Sequence, residues 1–166
     1  TEAASRGGSE KGRTTPMGSG AEFDLIRMLV GEPEGYNPVH SPAVSMGPGD
    51  DAAVLLSRSL AGQLVVSTDL SVEDVHFRRS WVSFEEVGFR AVMAAASDLA
   101  AMAARPVAVL LSVAVADTEA ETVLAEVGRG VRDALAGLDV PLVGGDLSAS
   151  PGPLLLDVTV LGETGH

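Results

Sequence analysis

The sequence predicts an α+β fold, in which a mixed β-sheet carries helices on one face. Apolar residues make up 46% of the 166 residues, which is enough for a packed core. Helical and strand-like patterns follow one another in the order helix, hairpin, helix, strand, helix, strand, strand. The run at residues 107–115 is almost entirely apolar and predicts a strand buried on both faces.

The first third of the chain carries the weaker patterns. Residues 1–20 are polar and rich in Gly, Ser and Thr, and we expect them to form a disordered leader. Residues 21–30 have the apolar spacing of a short amphipathic helix. Residues 31–49 contain four of the nine prolines and predict a loop. Residues 52–56 and 64–66 are short apolar runs on either side of a polar turn, and predict a hairpin.

The remainder of the chain has clearer signals. Residues 83–104 predict a helix, with Ser83 as its N-cap and Pro106 marking its end. A second helix is predicted at residues 118–138. Two further strands are predicted at residues 140–143 and 154–161. We expect residues 21–166 to form a single domain that continues into a second one, absent from this sequence.

Charge and composition exclude several classes of protein. There are 23 acidic and 11 basic residues, a formal net charge of −12, so phosphate backbones and anionic lipids would be repelled. No run of eighteen apolar residues is present, which argues against a membrane-spanning helix. The absence of cysteine excludes thiolate metal sites and favours, weakly, a cytoplasmic location. We therefore expect neither nucleic acid nor membrane as a partner.

Aspartates recur at the ends of the predicted strands. Asp51 enters one strand, Asp69 ends the next, and Asp146 follows Gly-Gly at the end of another. Each alone is as well explained as a turn or capping residue. Asp98 differs, because it interrupts an apolar helix with no basic residue within one turn, where an unpaired carboxylate would be costly to bury. A hydrogen-bond donor or a metal ion would satisfy it.

Carboxylates gathered around a site suit Mg²⁺ bound together with substrate phosphates. More than one ion is expected, since clustered carboxylates would otherwise repel one another. Phosphoryl transfer depends on positioning and charge neutralisation, so such a site needs no catalytic acid, base or nucleophile from the protein. The sequence lacks the Walker lysine motif and the kinase Gly-rich loop, which excludes the familiar nucleotide-binding folds.

Four motifs in this order resemble the thiamine-monophosphate kinase family. They are GPGDDAAV at residues 47–54, STD at 67–69 followed by VHF at 75–77, SDLAAM at 97–102, and GGD at 144–146. The family belongs to the aminoimidazole ribonucleotide synthetase-like superfamily. The resemblance implies an N-terminal α+β domain that dimerises, is followed by a larger α/β domain, and binds ATP and several Mg²⁺ ions to phosphorylate thiamine monophosphate to thiamine diphosphate.

The resemblance also implies roles for individual residues. The implied metal ligands are Asp51, Ser67, Thr68, Asp69, Asp98 and Asp146. Gly145 and Asp146 would contact ATP, and His76 would contact thiamine monophosphate. From the residues alone, His76 is equally well a structural histidine, with Val75 and Phe77 as core positions on a strand.

The chain departs from the family pattern at four positions. Asp74 and Ala103 stand where the family usually has Gly, Ala95 where it has Asn, and Leu147 where it has Thr. None of the implied metal ligands is lost. We expect this chain alone to be inactive, because part of the ATP site and much of the substrate pocket would belong to the missing domain.

Two alternatives stay open. One is another ATP-dependent enzyme of the same superfamily, such as a hydrogenase-maturation protein; selenophosphate synthetase fits less well, because it normally depends on a Cys and a Lys near its start. The other is a non-catalytic metal-binding dimerisation module.

Overall fold

The computed structural model describes residues 62–165, together with Asp24, Leu25, Met28 and Leu29 and the backbone of Val44–Met46 and Val54–Leu55. The predicted leader, most of the predicted loop and Asp51 lie outside the described residues. The backbone at Asp24, Leu25, Met28 and Leu29 is helical, which agrees with the helix predicted there.

Besides these helical residues, six strands and two helices are present in the described part. The first two strands are short, β1 (Val44–Met46) and β2 (Val54–Leu55), and pair with each other. The remaining elements are β3 (Leu64–Val72), α1 (Phe84–Ala101), β4 (Ala104–Val115), α2 (Ala120–Leu138), β5 (Leu142–Ala149) and β6 (Leu155–Thr164).

The four longer strands form one mixed sheet in the order β3-β6-β4-β5. β6 runs antiparallel to both β3 and β4, whereas β4 and β5 are parallel. A parallel pair needs a crossover, and α2 supplies it between β4 and β5. The predicted α+β class, with a mixed sheet and helices on one face, is confirmed.

The core lies between this sheet and the two helices. Alternate side chains of the inner strands, among them Leu111, Val113, Leu156 and Val158, are buried there against α1 and α2. The two helices pack closely at Gly130, where a Cβ atom would come within 1.8 Å of the Glu85 carbonyl oxygen. The other sheet face has no helix over it in the described part of the chain. Ala108 and Val143 are nevertheless buried outside the main core, and no residue of β4 from Val107 to Val115 is exposed, as the sequence predicts.

The start of α1 agrees with the sequence, but its end does not. Ser83 is the N-cap, its hydroxyl accepting a hydrogen bond from the Glu86 N–H, and the Glu86 carboxylate accepts one from the Ser83 N–H. The helix ends at Ala101, before the predicted residue 104, because Ala103 adopts a left-handed backbone with φ 52°. Pro106 lies inside β4, next to an irregularity in the pairing with β6 between Pro106 and Ala108, and proline is tolerated in sheets at such bulges.

The predicted hairpin between residues 52–56 and 64–66 is wrong. β2 pairs with β1, and β1 lies within residues 31–49, which were predicted as a loop. β3 pairs instead with β6, near the C-terminal end of the sequence. The reason lies in the alternating pattern of β3, which matches the two faces of β6 over nine residue pairs, from Leu64 with Glu163 to Val72 with Leu155.

Candidate functional site

Ser67 and Asp98 bring two of the sequence motifs together. Ser67 lies on β3 with its side chain on the helix-covered face, and its hydroxyl donates a 2.6 Å hydrogen bond to Oδ2 of Asp98 on α1. Asp69 lies two residues further along β3 and so is on the same face. Three of the predicted metal ligands are therefore on one side of the sheet, next to the last turn of α1.

Asp98 is solvent-exposed, so the expectation that it is buried among the apolar residues of the helix is wrong. The hydrogen-bond donor expected beside it is present, and is the hydroxyl of Ser67. Within the described ranges, neither Asp98 nor Asp69 forms an ion pair with arginine, and Oδ1 of Asp98 accepts no hydrogen bond. An exposed carboxylate with a free oxygen is able to accept a cation from solvent.

Thr68 and Asp146 lie on the opposite face of the sheet. The Thr68 hydroxyl donates to Oδ1 of Asp157 at 2.8 Å and lies 3.0 Å from the Thr159 hydroxyl, both on β6. Asp146 on β5 is paired in register with Ser112, which is in turn paired with Asp157. The structure thus divides the predicted ligands between the two faces of the sheet.

Gly145 positions Asp146. Its φ of 152° is one that L side chains rarely adopt, and a Cβ atom there would lie 1.8 Å from the Leu111 carbonyl oxygen. Only glycine allows β5 to approach β4 this closely. Leu147, on the other side of Asp146, is buried in the core under the helices. The Thr that the family has at this position would therefore face the helices and not the carboxylate of Asp146.

His76 lies in the turn that follows β3. Its Nδ1 accepts a 3.0 Å hydrogen bond from the Val72 N–H, and its own backbone N–H donates to the Val72 carbonyl at 2.8 Å. The imidazole is exposed, while Phe77 is buried and Val75 is 73% exposed. His76 is therefore on a turn and not on a core strand, which leaves its side chain accessible to a ligand.

The predicted metal ligands do not form a complete metal centre in the described part of the chain. Among the residues that the structure describes, no three His, Asp or Glu side chains are close enough together to hold a metal ion. The donors at Ser67, Asp69 and Asp98 are all oxygens, the type that Mg²⁺ prefers, and Mg²⁺ commonly takes one or two carboxylates and completes its shell with water and phosphate. The chemistry of the set fits Mg²⁺.

Two groups near the site were missed by the sequence analysis. Asp157 interrupts the apolar run of β6, and Asp157 and Thr159 lie on the same sheet face as Thr68. The two polar residues in an otherwise apolar strand are a signal that the sequence contains. Arg79 joins Glu73 to Glu119, and no local pattern connects residues so far apart in the chain.

Within the described residues, no helix is both long and apolar enough to cross a membrane.

Comparison with known proteins identifies the class. Residues 49–164 match the family described as AIR synthase related protein, N-terminal domain. The chain therefore belongs to this family, and its fold is the one that the sequence motifs predicted.

Within that family, the chain is similar to thiamine-monophosphate kinases. It is 34% identical to the thiamine-monophosphate kinase of Bacillus subtilis over 142 residues, which are 86% of this chain and 42% of that protein. The structure of thiamine-monophosphate kinase from Stenotrophomonas maltophilia matches 76% of this chain and 39% of its own, with a TM-score of 0.66 and 35% identity. AaThiL in complex with AMPPCP and TMP matches 95% of this chain and 46% of its own, with a TM-score of 0.60 and 27% identity.

The resemblance stated from the motifs is confirmed by these matches. The chain spans about two fifths of the length of the relatives it matches.

Proposed function

We propose that residues 21–166 are the N-terminal, ATP- and Mg²⁺-binding domain of a cytoplasmic enzyme that phosphorylates thiamine monophosphate to thiamine diphosphate. The relatives named thiamine-monophosphate kinase support the reaction, and the neighbour complexed with AMPPCP and TMP supports both substrates. The chain covers 42% of the B. subtilis relative, so a second domain would complete the active site.

The observation that carries the proposal is the hydrogen bond between Ser67 and Asp98. It joins the STD motif of β3 to the SDLAAM motif of α1, which are 31 residues apart in the chain. In the proposed mechanism Ser67, Asp69 and Asp98 hold Mg²⁺ on the helix-covered side. Thr68 and Asp146, on the opposite face, and Asp51 are the other ligands that the family resemblance implies, and they would hold further Mg²⁺ ions.

When bound by these residues, Mg²⁺ would neutralise the negative charge of the two reacting phosphate groups. The residues of this chain bind and orient, and no side chain acts as acid, base or nucleophile. Gly145 and Asp146 contact ATP in this proposal. The strand pairing at Gly145 supports a fixed backbone there, since β5 and β4 approach too closely for any side chain.

His76 contacts thiamine monophosphate in the same proposal. Because Nδ1 accepts the Val72 N–H, the neutral ring carries its proton on Nε2. An exposed Nε2–H is a suitable donor for a phosphate oxygen of the substrate.

The open face of the sheet supports a homodimer. Leu64, Val66 and Leu70 of β3 are 50%, 56% and 43% exposed on this face, and Leu161 of β6 is paired with Val66. Water-facing sheet surfaces are ordinarily polar, so a row of exposed aliphatic side chains favours burial against another molecule. A second copy of the same chain presents a matching surface.

Calorimetric titration of thiamine monophosphate, in the presence of Mg²⁺ and a non-hydrolysable ATP analogue, tests the function. We expect saturable binding that His76→Ala weakens by about tenfold or more, because a hydrogen bond to a charged phosphate is lost. Val75→Ala, at the exposed neighbouring position, is the matched control and should bind as the wild type does. Absence of binding, both by this chain and by a longer chain that carries the second domain, would overturn the proposal.

The metal assignment has its own test. Asp98→Asn and Asp69→Asn should each abolish Mg²⁺-dependent nucleotide binding with little change in thermal stability. Asparagine at position 98 still accepts the hydrogen bond from Ser67 but has lost the charge that holds the cation. Asp117→Asn, at an exposed residue before α2, serves as the control. Unchanged nucleotide affinity in both variants would contradict the assignment.

The two alternatives are distinguished by the same titrations. Mg²⁺-dependent ATP binding without any response to thiamine monophosphate would indicate another enzyme of the superfamily. Metal binding with no response to either nucleotide or substrate, in the longer chain as well, would indicate a dimerisation module.

A further inference from the structure

Arg79 is held by two carboxylates from different parts of the fold. Its Nε and Nη2 donate to the two oxygens of Glu73, which directly follows β3; the Nη2 bond is 2.9 Å long. Its Nη1 and Nη2 donate to the two oxygens of Glu119, at the start of α2, both at 2.6 Å. One guanidinium thus makes four hydrogen bonds, in the forked geometry that only arginine provides.

This cluster of Glu73, Arg79 and Glu119 is partly shielded from water. The Glu73 side chain is 12% exposed and the Glu119 side chain 31%. The guanidinium carbon of Arg79 also lies 5.1 Å from the centre of the Phe84 ring. Hydrogen bonds from Arg79 lower the pKa of both Glu73 and Glu119, so both carboxylates are charged at neutral pH.

The cluster closes the turn that carries His76. Glu73 is fixed to the sheet, since its N–H donates to the Leu154 carbonyl at 3.0 Å and its Oε2 accepts the Leu154 N–H at 3.1 Å. The imidazole of His76 is bonded to Val72, the residue before Glu73. The ion pair between Glu73 and Arg79 therefore spans residues 74–78 from one side of His76 to the other.

We propose that Arg79 is a positioning residue for His76. By joining Glu73 to Glu119, Arg79 fixes the two ends of the turn, so that Nδ1 of His76 stays on the Val72 N–H and Nε2 stays available. Without Arg79 the turn would sample other conformations, and the cost of ordering it would fall on ligand binding. The inference rests on the proposed function only where it assigns thiamine monophosphate as the ligand of His76.

The test compares Arg79→Ala and Arg79→Lys with Arg129→Ala, in this chain. Arg129 of α2 pairs with Glu85 of α1 and forms no hydrogen bond or ion pair with residues 73–79. The first measurement, made without ligand, is amide hydrogen exchange at Val72 together with the imidazole nitrogen shifts of His76. The second is thiamine monophosphate affinity, measured in a double-mutant cycle with His76→Ala.

We expect Arg79→Ala to speed amide hydrogen exchange at Val72 and to shift the His76 Nδ1 resonance away from the value of a hydrogen-bonded nitrogen. Arg129→Ala should change neither. Arg79→Lys should give values between those of the wild type and Arg79→Ala, because lysine keeps the charge but cannot form the four hydrogen bonds. Thiamine monophosphate affinity should fall about tenfold in Arg79→Ala, and no further when His76→Ala is added.

Unchanged imidazole nitrogen shifts of His76 in Arg79→Ala would overturn the inference, regardless of any change in thiamine monophosphate affinity. Equal, additive losses of affinity from Arg79→Ala and His76→Ala would also overturn it. If the His76 shifts change on substitution but the wild type binds no thiamine monophosphate, either in this chain or in a longer chain that carries the second domain, then the positioning role stands and the proposed function fails. Should Arg79→Ala not fold, Arg79→Lys provides both readouts.

Discussion

Asp74 and Ala103 are the two positions where this chain replaces a glycine of the family pattern, and both have a left-handed backbone. Their φ angles are 65° and 52°. Aspartate tolerates this conformation better than alanine, whose Cβ atom approaches a carbonyl oxygen there. The family's glycines at these positions therefore have a conformational reason, and Ala103 retains the turn at a cost in stability.

Ala103→Gly should stabilise the protein by about 1 kcal/mol, since relief of the left-handed strain exceeds the added entropy of the unfolded chain. Ala94→Gly, at an exposed position inside α1, is the matched control and should destabilise by about 1 kcal/mol. Urea denaturation of the two variants measures both. A loss of stability in Ala103→Gly would show that the backbone at this position is not strained.

The predicted site residues were found by resemblance more than by local chemistry. Ser67 and Asp98 meet because β3 packs against α1, a contact that no spacing along the chain discloses. Both residues were named from their sequence motifs. The sequence did not predict that Thr68 faces Asp157 on the other side of the sheet, since that depends on the register of β3 against β6.

At the scale of elements, helices were more predictable than strand pairing. Ser83 and Glu86 are three residues apart and form the capping box by themselves, so the start of α1 can be read locally. β3 pairs with a strand that begins 83 residues after Val72, and nearby β2 was the wrong partner. Strand pairing is decided by long-range register and burial, which a hairpin pattern does not contain.

The Glu73–Arg79–Glu119 cluster, which ties β3 to α2, predicts an acid-sensitive contribution to stability. In the folded protein the pKa of Glu73 lies below its ordinary value of 4.5, because Arg79 donates hydrogen bonds to the carboxylate. The unfolded chain therefore binds the proton more readily than the native one. The stabilisation is complete above pH 4.5 and is lost as the pH falls through the folded pKa.

Thermal melts of wild type and Glu73→Gln should show this directly. We expect Glu73→Gln to melt at a lower temperature at neutral pH, and the difference to shrink as the pH falls below 4.5. Glu121→Gln removes an exposed carboxylate of α2 that bonds no arginine in the described structure, and should have no comparable effect at neutral pH. A difference for Glu73→Gln that is the same at every pH would contradict the assignment.

At the scale of the whole molecule, the open sheet face predicts the state of association. We expect the wild type to sediment as a dimer at micromolar concentration. Val66→Glu should convert it to a monomer, because a charge would be buried in the centre of the interface. Val75→Glu, at a residue more exposed than Val66 but on the turn after β3, should leave the dimer intact. A monomeric wild type would contradict the dimer proposal.

The order of strands has a consequence for biosynthesis. β6 is the last of the four strands to leave the ribosome, yet it lies inside the sheet, between β3 and β4. β3 is made first and has no partner in this sheet until about 80 further residues have been translated, several seconds at bacterial speeds. During that interval its aliphatic side chains are open to other nascent chains. Synonymous codons that slow translation between β3 and β6 should therefore increase aggregation without changing a single amino acid.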